Sequence, residues 1–333
     1  AVLDMKAIQT ISTDPVKIDL VEVPKPNPKK DQCLVKIKAA GLNRRDQWIQ
    51  HGMYPGIKSH VILGSDGCGI VEEGADEWKG KEVILNPNVG WGPHEEAQSQ
   101  SYSILGMPSH GTLTEYIVID TDRLAEKPPH LNFQEAAAVP LAAMTAFRAC
   151  FTKGNMEKGQ RVLVTGAGGG VSQFAISFAL AMECEVFVTS GSEDKIQKCI
   201  TSGVTGGVNY KKEHWVRDLK SFVKDGFDLI VDSAGGDSIN DYIRLIQPGG
   251  TIVVYGSTTG RPRSFDIFRL FWTQASIKGT TMASDKEFME MVDFVTRHEI
   301  HPEIDKVYEP EEFGQAFDRF THEDHMGKII ITF

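Results

Sequence analysis

Residues 1–126 carry short runs of apolar or alternating character, among them CLVKIKAAGLN, VILGSDGCGIVEEGADE, KEVILNP and LTEYIVID. Glycine, proline, asparagine and aspartate separate these runs, which is the punctuation of a mainly β region. Residues 86–112 interrupt it with a long polar stretch of no periodicity, a length of loop that tends to serve function. Near residue 130 the pattern changes. FQEAAAVPLAAMTAFRACF is helical in character, and strand, turn and helix then alternate. Continuous β-branched runs predict strands at 162–165, 186–189, 229–232, 252–255 and 277–280, the texture of strands buried on both faces. Helical runs fall at 172–182, 193–201, 238–246 and 285–297. The alternation predicts an α/β fold, a doubly wound parallel sheet, beside the mainly β region. The tail, 301–333, ends in the strand-like GKIIITF, which is expected to return to the β region. The resulting divisions are 1–126, 127–283 and 284–333.

The strand at 162–165 runs straight into Gly166, Ala167, Gly168, Gly169 and Gly170, with Val171 and Ser172 opening a helix. Absent side chains let this backbone turn tightly and approach a pyrophosphate, and the helix start offers unpaired N–H groups and the positive end of its dipole. So much glycine costs conformational entropy that a turn without a ligand would not justify. A dinucleotide is therefore expected at Ala167, Gly168, Gly169, Gly170 and Val171. Ser172 occupies the place of the last glycine in G-x-G-x-x-G and is small enough to keep helix and strand close. An NAD site would place a carboxylate about 20 residues on, at the end of the second strand. Here that end is Ser190, Gly191 and Ser192, with Lys195 one helical turn later. Small hydroxyls leave room for a 2′-phosphate and the lysine can pair with it. Glu193 and Asp194 read as first-turn acids that favour a helix N-terminus. The expected cofactor is NADPH.

Composition narrows the class. The chain is 41% hydrophobic and 24% charged, with a net charge of −10. That balance argues against a nucleic-acid surface, and no apolar run approaches a membrane span. AVLDMKAIQT lacks the basic region and apolar core of a secretory signal, with Met5 a candidate natural start. Five cysteines scattered without a C-x-x-C read as reduced thiols, so a cytoplasmic location is expected.

Four stretches, AAGLNRRD, VILGSDGCGIV, VPLAAMTAFRA and VLVTGAGGGVS, give the chain a resemblance to the medium-chain dehydrogenase/reductases. Within them it resembles the zinc-free, quinone-oxidoreductase-like branch, over nearly its whole length. The resemblance implies a GroES-like catalytic domain over 1–126 and a Rossmann NADP-binding domain over 127–283. Residues 284–333 would then return to the catalytic domain. Zinc-dependent relatives carry Cys, His and Cys where this chain has Asn43, Ser65 and Leu141, and a four-cysteine zinc loop where 86–112 has no cysteine. The resemblance thus implies no metal. Two His-x-x-His pairs, His298/His301 and His322/His325, sit in polar sequence without cysteine and read as solvated. The same likeness adds cofactor contacts at Asn43, Thr145, Tyr210, Gly256, Ser257, Thr281, Met282 and Lys328, and a homodimer formed through the edge strand 277–280.

Without a metal, hydride must go to a carbon that is already electrophilic, such as that of a quinone or an α,β-unsaturated carbonyl. The charge left behind spreads onto an oxygen that needs fixed donors. Asn43 is one candidate donor. The other is Tyr54 in QHGMYPGIK, because enoyl-thioester reductases of this superfamily carry a proton-donating tyrosine in a similar G-x-Y-P setting, although Tyr54 can equally pack the turn before Pro55. Asp46 is expected to pair with Arg44 or Arg45. Arg261 and Arg263 are candidates for holding an anionic tail or are solvated loop residues, and Trp91, Tyr102, Met107, Phe271 and Trp272 are candidates for an apolar substrate wall or merely pack. Two rival functions stand beside the reductase: an enoyl-thioester reductase, and an NADPH-binding protein that turns nothing over.

Overall fold

A computed structural model describes residues 3–333. The chain divides into two compact units, one formed by the chain as far as Ala142 together with Ser284–Phe333, the other by Ala143–Ala283.

The second unit is a six-stranded parallel sheet. Its strands are β1 (Arg161–Val164), β2 (Glu185–Ser190), β3 (Gly206–Asn209), β4 (Phe227–Asp232), β5 (Ile246–Val254) and β6 (Ser276–Gly279). In space they run β3-β2-β1-β4-β5-β6, the order of a doubly wound dinucleotide fold. Val162, Leu163, Val164, Leu229, Ile230 and Val231 are fully buried, which is why these strands read as continuous apolar runs. Helices Gly170–Ala181, Glu193–Thr201 and Ser238–Leu245 fall where the sequence predicts them. Strand β3 and helix Trp215–Phe222 were not predicted. β3 is GGVN, and two glycines in four residues give no strand signal.

The first unit is built on a seven-stranded sheet. Its central strand, Gln32–Gly41, pairs antiparallel with Asp66–Glu73, with Tyr116–Asp120 and with Lys328–Thr332. Cys33, Val35, Ile37, Leu85, Ile117, Phe317, Ile329 and Ile331 share one core. Helix Asp285–Arg297 is tied to the same unit at its first residue. Asp285 takes two hydrogen bonds from Arg123 at 2.7 and 2.9 Å, and one each from Asn86 and Asn88. Within the predicted 86–112 loop only the short pair Asn88–Val89 and Ser103–Ile104 is strand. Among the described residues no helix is long and apolar enough to cross a membrane.

Candidate active site

β1 ends in a turn at Gly166, where φ is 63° and a Cβ would stand 2.8 Å from Ser233 Oγ. The left-handed φ favours glycine there, and a side chain would also push the Ser233 hydroxyl aside. Ala167 is fully buried and donates its N–H to Thr189 O at 3.0 Å, joining the turn to β2. Gly168 and Gly169 complete the turn, and Gly169 caps helix Gly170–Ala181. The first intrahelical bond of that helix runs from Gln173 N to Gly169 O. The amides of Gly170, Val171 and Ser172 therefore precede the ladder, the place where helix termini receive anions. Ser172 is buried, and its hydroxyl donates to Thr165 O at 2.9 Å. With that hydrogen spent, the Tyr255 hydroxyl is the donor in the 2.9 Å contact between the two. Burial pushes the Tyr255 phenol up to about 12, so it is present as the neutral donor.

At the end of β2, Ser190 Oγ accepts from Ser192 N at 3.2 Å, and Ser192 Oγ caps the next helix through Lys195 N. A Cβ on Gly191 would lie 2.9 Å from both Tyr210 Oη and Lys211 Cε. Tyr210 and Lys211 thus lie across the one residue of Ser190-Gly191-Ser192 that has no side chain. Lys211 was not foreseen. It simply follows Tyr210 in sequence, and only the pairing of β2 with β3 carries it to this strand end. Glu193, the acid nearest the strand end, is engaged by Lys212 at 2.8 Å, and that hydrogen bond holds its carboxyl below the usual range.

Gly256 and Ser257 follow β5, and a Cβ on Gly256 would stand 2.7 Å from Ser233 O. Thr281 and Met282 follow β6. Met282 is buried with φ at 51°, a left-handed conformation uncommon outside glycine, and Thr145 Oγ1 donates to its sulfur at 3.9 Å. Apart from Thr145, every expected cofactor residue of this unit lies at or beyond the carboxyl end of a strand, where open parallel sheets bind their ligands. The turn, the side-chain-free strand end and the helix start all fit a dinucleotide.

Asn43 and Lys328 lie in the other unit, and both are buried. Asn43 precedes helix Arg44–Gln50 and donates its backbone N–H to Asp46 at 2.8 Å. Its Nδ2 donates to Asp66 Oδ2 at 3.0 Å, and its Oδ1 accepts from Lys328 Nζ at 2.7 Å. The Lys328 ammonium also donates to Leu42 O at 2.8 Å and to Asp66 at 3.3 Å. All three of its donors are spent inside the protein, so Lys328 orients Asn43 and does not line an open surface. Burial pushes the Asp66 carboxyl up, against Lys328, Asn43 and the Leu141 amide, which donates to it at 2.8 Å. One amide hydrogen of Asn43 is left for a ligand.

Asp46 makes no ion pair with Arg44 or Arg45 among the described residues, contrary to expectation. Its oxygens are taken by the amides of Asn43 and Gly64, and burial pushes its carboxyl up. Arg44 instead donates to Phe320 O and lies over the Phe320 ring. Arg45 reaches Ser65, Leu105, Met107 and the half-buried Tyr54. Trp91 and Met107 are buried at 2% and 1% exposure and cannot form a substrate wall. The Tyr102 hydroxyl is bound to Asn88, Arg263 pairs with Asp237 at 2.7 Å, and His301 meets Glu135 at 2.8 Å.

A sheet of this order is that of a dinucleotide-binding fold, and the residues expected to hold the cofactor lie at its strand ends. Residues 29–129 match the family model described as the alcohol dehydrogenase GroES-like domain, and residues 170–297 that of the zinc-binding dehydrogenases. The zinc-type alcohol dehydrogenase-like protein YogA of Leptosphaeria maculans is 34% identical, with 94% of this chain and 92% of that protein covered. Crotonyl-CoA reductase of Streptomyces avermitilis is 27% identical, over 97% of this chain and 83% of that protein. A solved structure described as an NAD-dependent alcohol dehydrogenase superposes with a TM-score of 0.91 at 30% identity, covering 99% of this chain and 100% of that one. The chain belongs to the medium-chain dehydrogenase/reductase superfamily, among the zinc-type alcohol dehydrogenase-like proteins, and is an NAD(P)-dependent oxidoreductase.

The zinc that this family name implies does not fit the residues present. Ser65 Oγ is held by Arg45 and donates to Leu105 O, Leu141 offers only backbone, and the Asn43 oxygen already takes an ammonium. Among the described residues no three His, Cys, Asp or Glu side chains are grouped to hold a metal.

Proposed function

We propose that the protein is a zinc-independent, NADPH-dependent reductase of quinones or α,β-unsaturated carbonyls. The observation that carries this reading is the Asn43 cluster. Where a Lewis acid would polarise an alcohol, the chain holds an asparagine amide fixed between Asp66 and Lys328. A fixed amide stabilises a developing oxyanion but does not activate an alcohol. Bound NADPH would supply hydride to the electrophilic carbon. Asn43 would donate a hydrogen bond to the oxygen that gains charge, and Tyr54 would supply a proton where the substrate is an unsaturated carbonyl.

The preference for NADPH is supported by the end of β2. Ser190-Gly191-Ser192 itself carries no carboxylate, Glu193 is engaged by Lys212, and Tyr210 and Lys211 lie against Gly191. One observation favours the narrower reading of an enoyl-thioester reductase. The Tyr54 hydroxyl is held by Arg45, and crotonyl-CoA reductases are among the relatives.

The test is a panel of quinones, enones, enoyl thioesters and simple aldehydes with NADPH and with NADH, alongside metal analysis. Turnover of quinones or enones with NADPH by metal-free protein is expected. Stoichiometric zinc with alcohol oxidation sinks the proposal.

We also propose a homodimer formed by a second copy at β6. That strand is paired on one side only, and Phe268, Phe271 and Trp272 of the nearby helix Ile267–Thr273 are 65%, 58% and 74% exposed. An unpaired edge beside exposed aromatics calls for a cover. Sedimentation at micromolar concentration should give a dimer, and a monomer there would refute it.

A further inference from the structure

Arg45 is a buried cation in an unusual setting. Its exposure is 5%, and no carboxylate accepts a hydrogen bond from it among the described residues. Nη1 donates to Ser65 Oγ at 2.8 Å and to Leu105 O at 2.7 Å. Nη2 donates to Tyr54 Oη at 3.1 Å and to Met107 O at 3.2 Å, with Ile104 O at 3.5 Å. Nε is buried with no partner. The guanidinium also stands over the Tyr54 ring, 4.8 Å from its centroid. The nearest carboxylate in sequence, Asp46, gives its oxygens to backbone amides and meets Arg45 only as a charge through space, without a hydrogen bond.

A guanidinium removed from water without a bonded carboxylate is costly. If it served only to pin the 104–107 loop, neutral donors would do so at lower cost. Its acceptors are carbonyl oxygens, a serine hydroxyl and a phenol. Of these only the phenol is a proton donor of the kind used in general-acid catalysis. Moreover, a phenol oxygen that accepts from Arg45 must direct its own hydrogen elsewhere.

We propose that Arg45 is the positioning residue that makes Tyr54 a proton donor, orienting its O–H and stabilising the phenolate that remains after transfer. The inference rests on the reading of the protein as a reductase of conjugated carbonyls. After hydride has reached the β-carbon, the C=C pair has moved toward the carbonyl as an enolate. The Tyr54 O–H bond then breaks, its proton forms a C–H bond at the α-carbon, and the enolate pair closes that bond. The phenolate, held by Arg45, takes a proton back from water. Quinone reduction places both protons on oxygens, which water can supply, and so needs this step far less.

The test compares Arg45→Met, Arg45→Lys, Tyr54→Phe and the double variant Arg45→Met/Tyr54→Phe. Arg45→Met should lower enone kcat by about 10²-fold, within the usual range for general-acid catalysis, while quinone kcat changes less than about 3-fold. It should also raise the solvent deuterium isotope effect. Arg45→Lys should recover part of the loss. In the Tyr54→Phe background, Arg45→Met should cost no more. A readout independent of turnover is the ζ-carbon resonance of ¹³C-labelled Tyr54, assigned by its loss in Tyr54→Phe. It should move in Arg45→Met and stay close to the parent position in Arg45→Lys. Thermal melts show which variants are folded. The resonance criterion is read on Arg45→Met alone. Where Arg45→Met does not fold, Arg45→Lys decides, expected to lower enone kcat several-fold while quinone kcat changes less than about 3-fold. Equal losses on quinone and enone, a full further loss in the double variant, or an unmoved resonance would overturn the role of Arg45 alone. A wild-type protein that reduces no enone or enoyl thioester overturns the functional reading and this inference with it.

Discussion

Lys328→Met is expected to destabilise the protein by about 3–5 kcal/mol, the usual penalty for leaving one partner of a buried ion pair uncompensated. The ammonium is 3% exposed and all of its hydrogens are used, on Leu42 O, Asn43 Oδ1 and Asp66 Oδ2. Without it, Asp66 retains the Leu141 amide and Asn43 Nδ2 but no cation. Its carboxyl, already pushed up by burial, becomes neutral. The double variant Asp66→Asn/Lys328→Met removes both charges and should regain most of the stability, since buried pairs exchanged as a pair are nearly neutral. Activity should not return with it. Asn43 would have lost the donor that fixes its oxygen, and a misplaced group costs about 10²-fold in rate. Urea unfolding and steady-state kinetics on both variants separate the two effects. A Lys328→Met protein as stable as the parent would show that the ammonium is not held as described.

Gly191→Glu is expected to lower kcat/KM for NADPH by about 10²-fold or more and to leave that for NADH within a few-fold. The Cβ position at residue 191 is already approached to 2.9 Å by Tyr210 Oη and Lys211 Cε. A side chain there displaces both, and a carboxylate adds repulsion toward a 2′-phosphate while offering an acceptor to a ribose hydroxyl. Each charge-assisted hydrogen bond lost is worth about 1.5–3 kcal/mol, or roughly 10- to 100-fold. Gly191→Ala separates displacement from charge and should fall between parent and glutamate variant. Equal losses with both cofactors would mean that the end of β2 does not read the phosphate.

The glycine turn after β1 was legible because it spends glycine where few other residues serve, and the inner strands because burial on both faces leaves them nearly continuous apolar runs. β3 was not, for GGVN contains one β-branched residue and is a strand only because β2 pairs with it. Lys211 went unseen for the same reason. Arg45 was half-legible: its charge invited pairing with Asp46, but its partners are mainly carbonyls some 60 residues away, and carbonyls leave no mark in a sequence. For Trp91 and Met107 the choice between packing and a substrate wall was not legible, because an apolar side chain looks the same in both; the structure buries them.

The contact among Ser172, Thr165 and Tyr255 bears on how such proteins are found and altered. Where relatives close helix against strand by having nothing at the third glycine, this chain closes it with a hydroxyl latched to β1 and to the residue after β5. A glycine at 172 takes one hydrogen-bond partner from the phenol, and a phenylalanine at 255 leaves the serine tied to Thr165 O alone. A search pattern that insists on glycine at that step passes over this chain. One that accepts glycine, or serine with a tyrosine at the end of the fifth strand, tracks the helix–strand distance that the signature stands for.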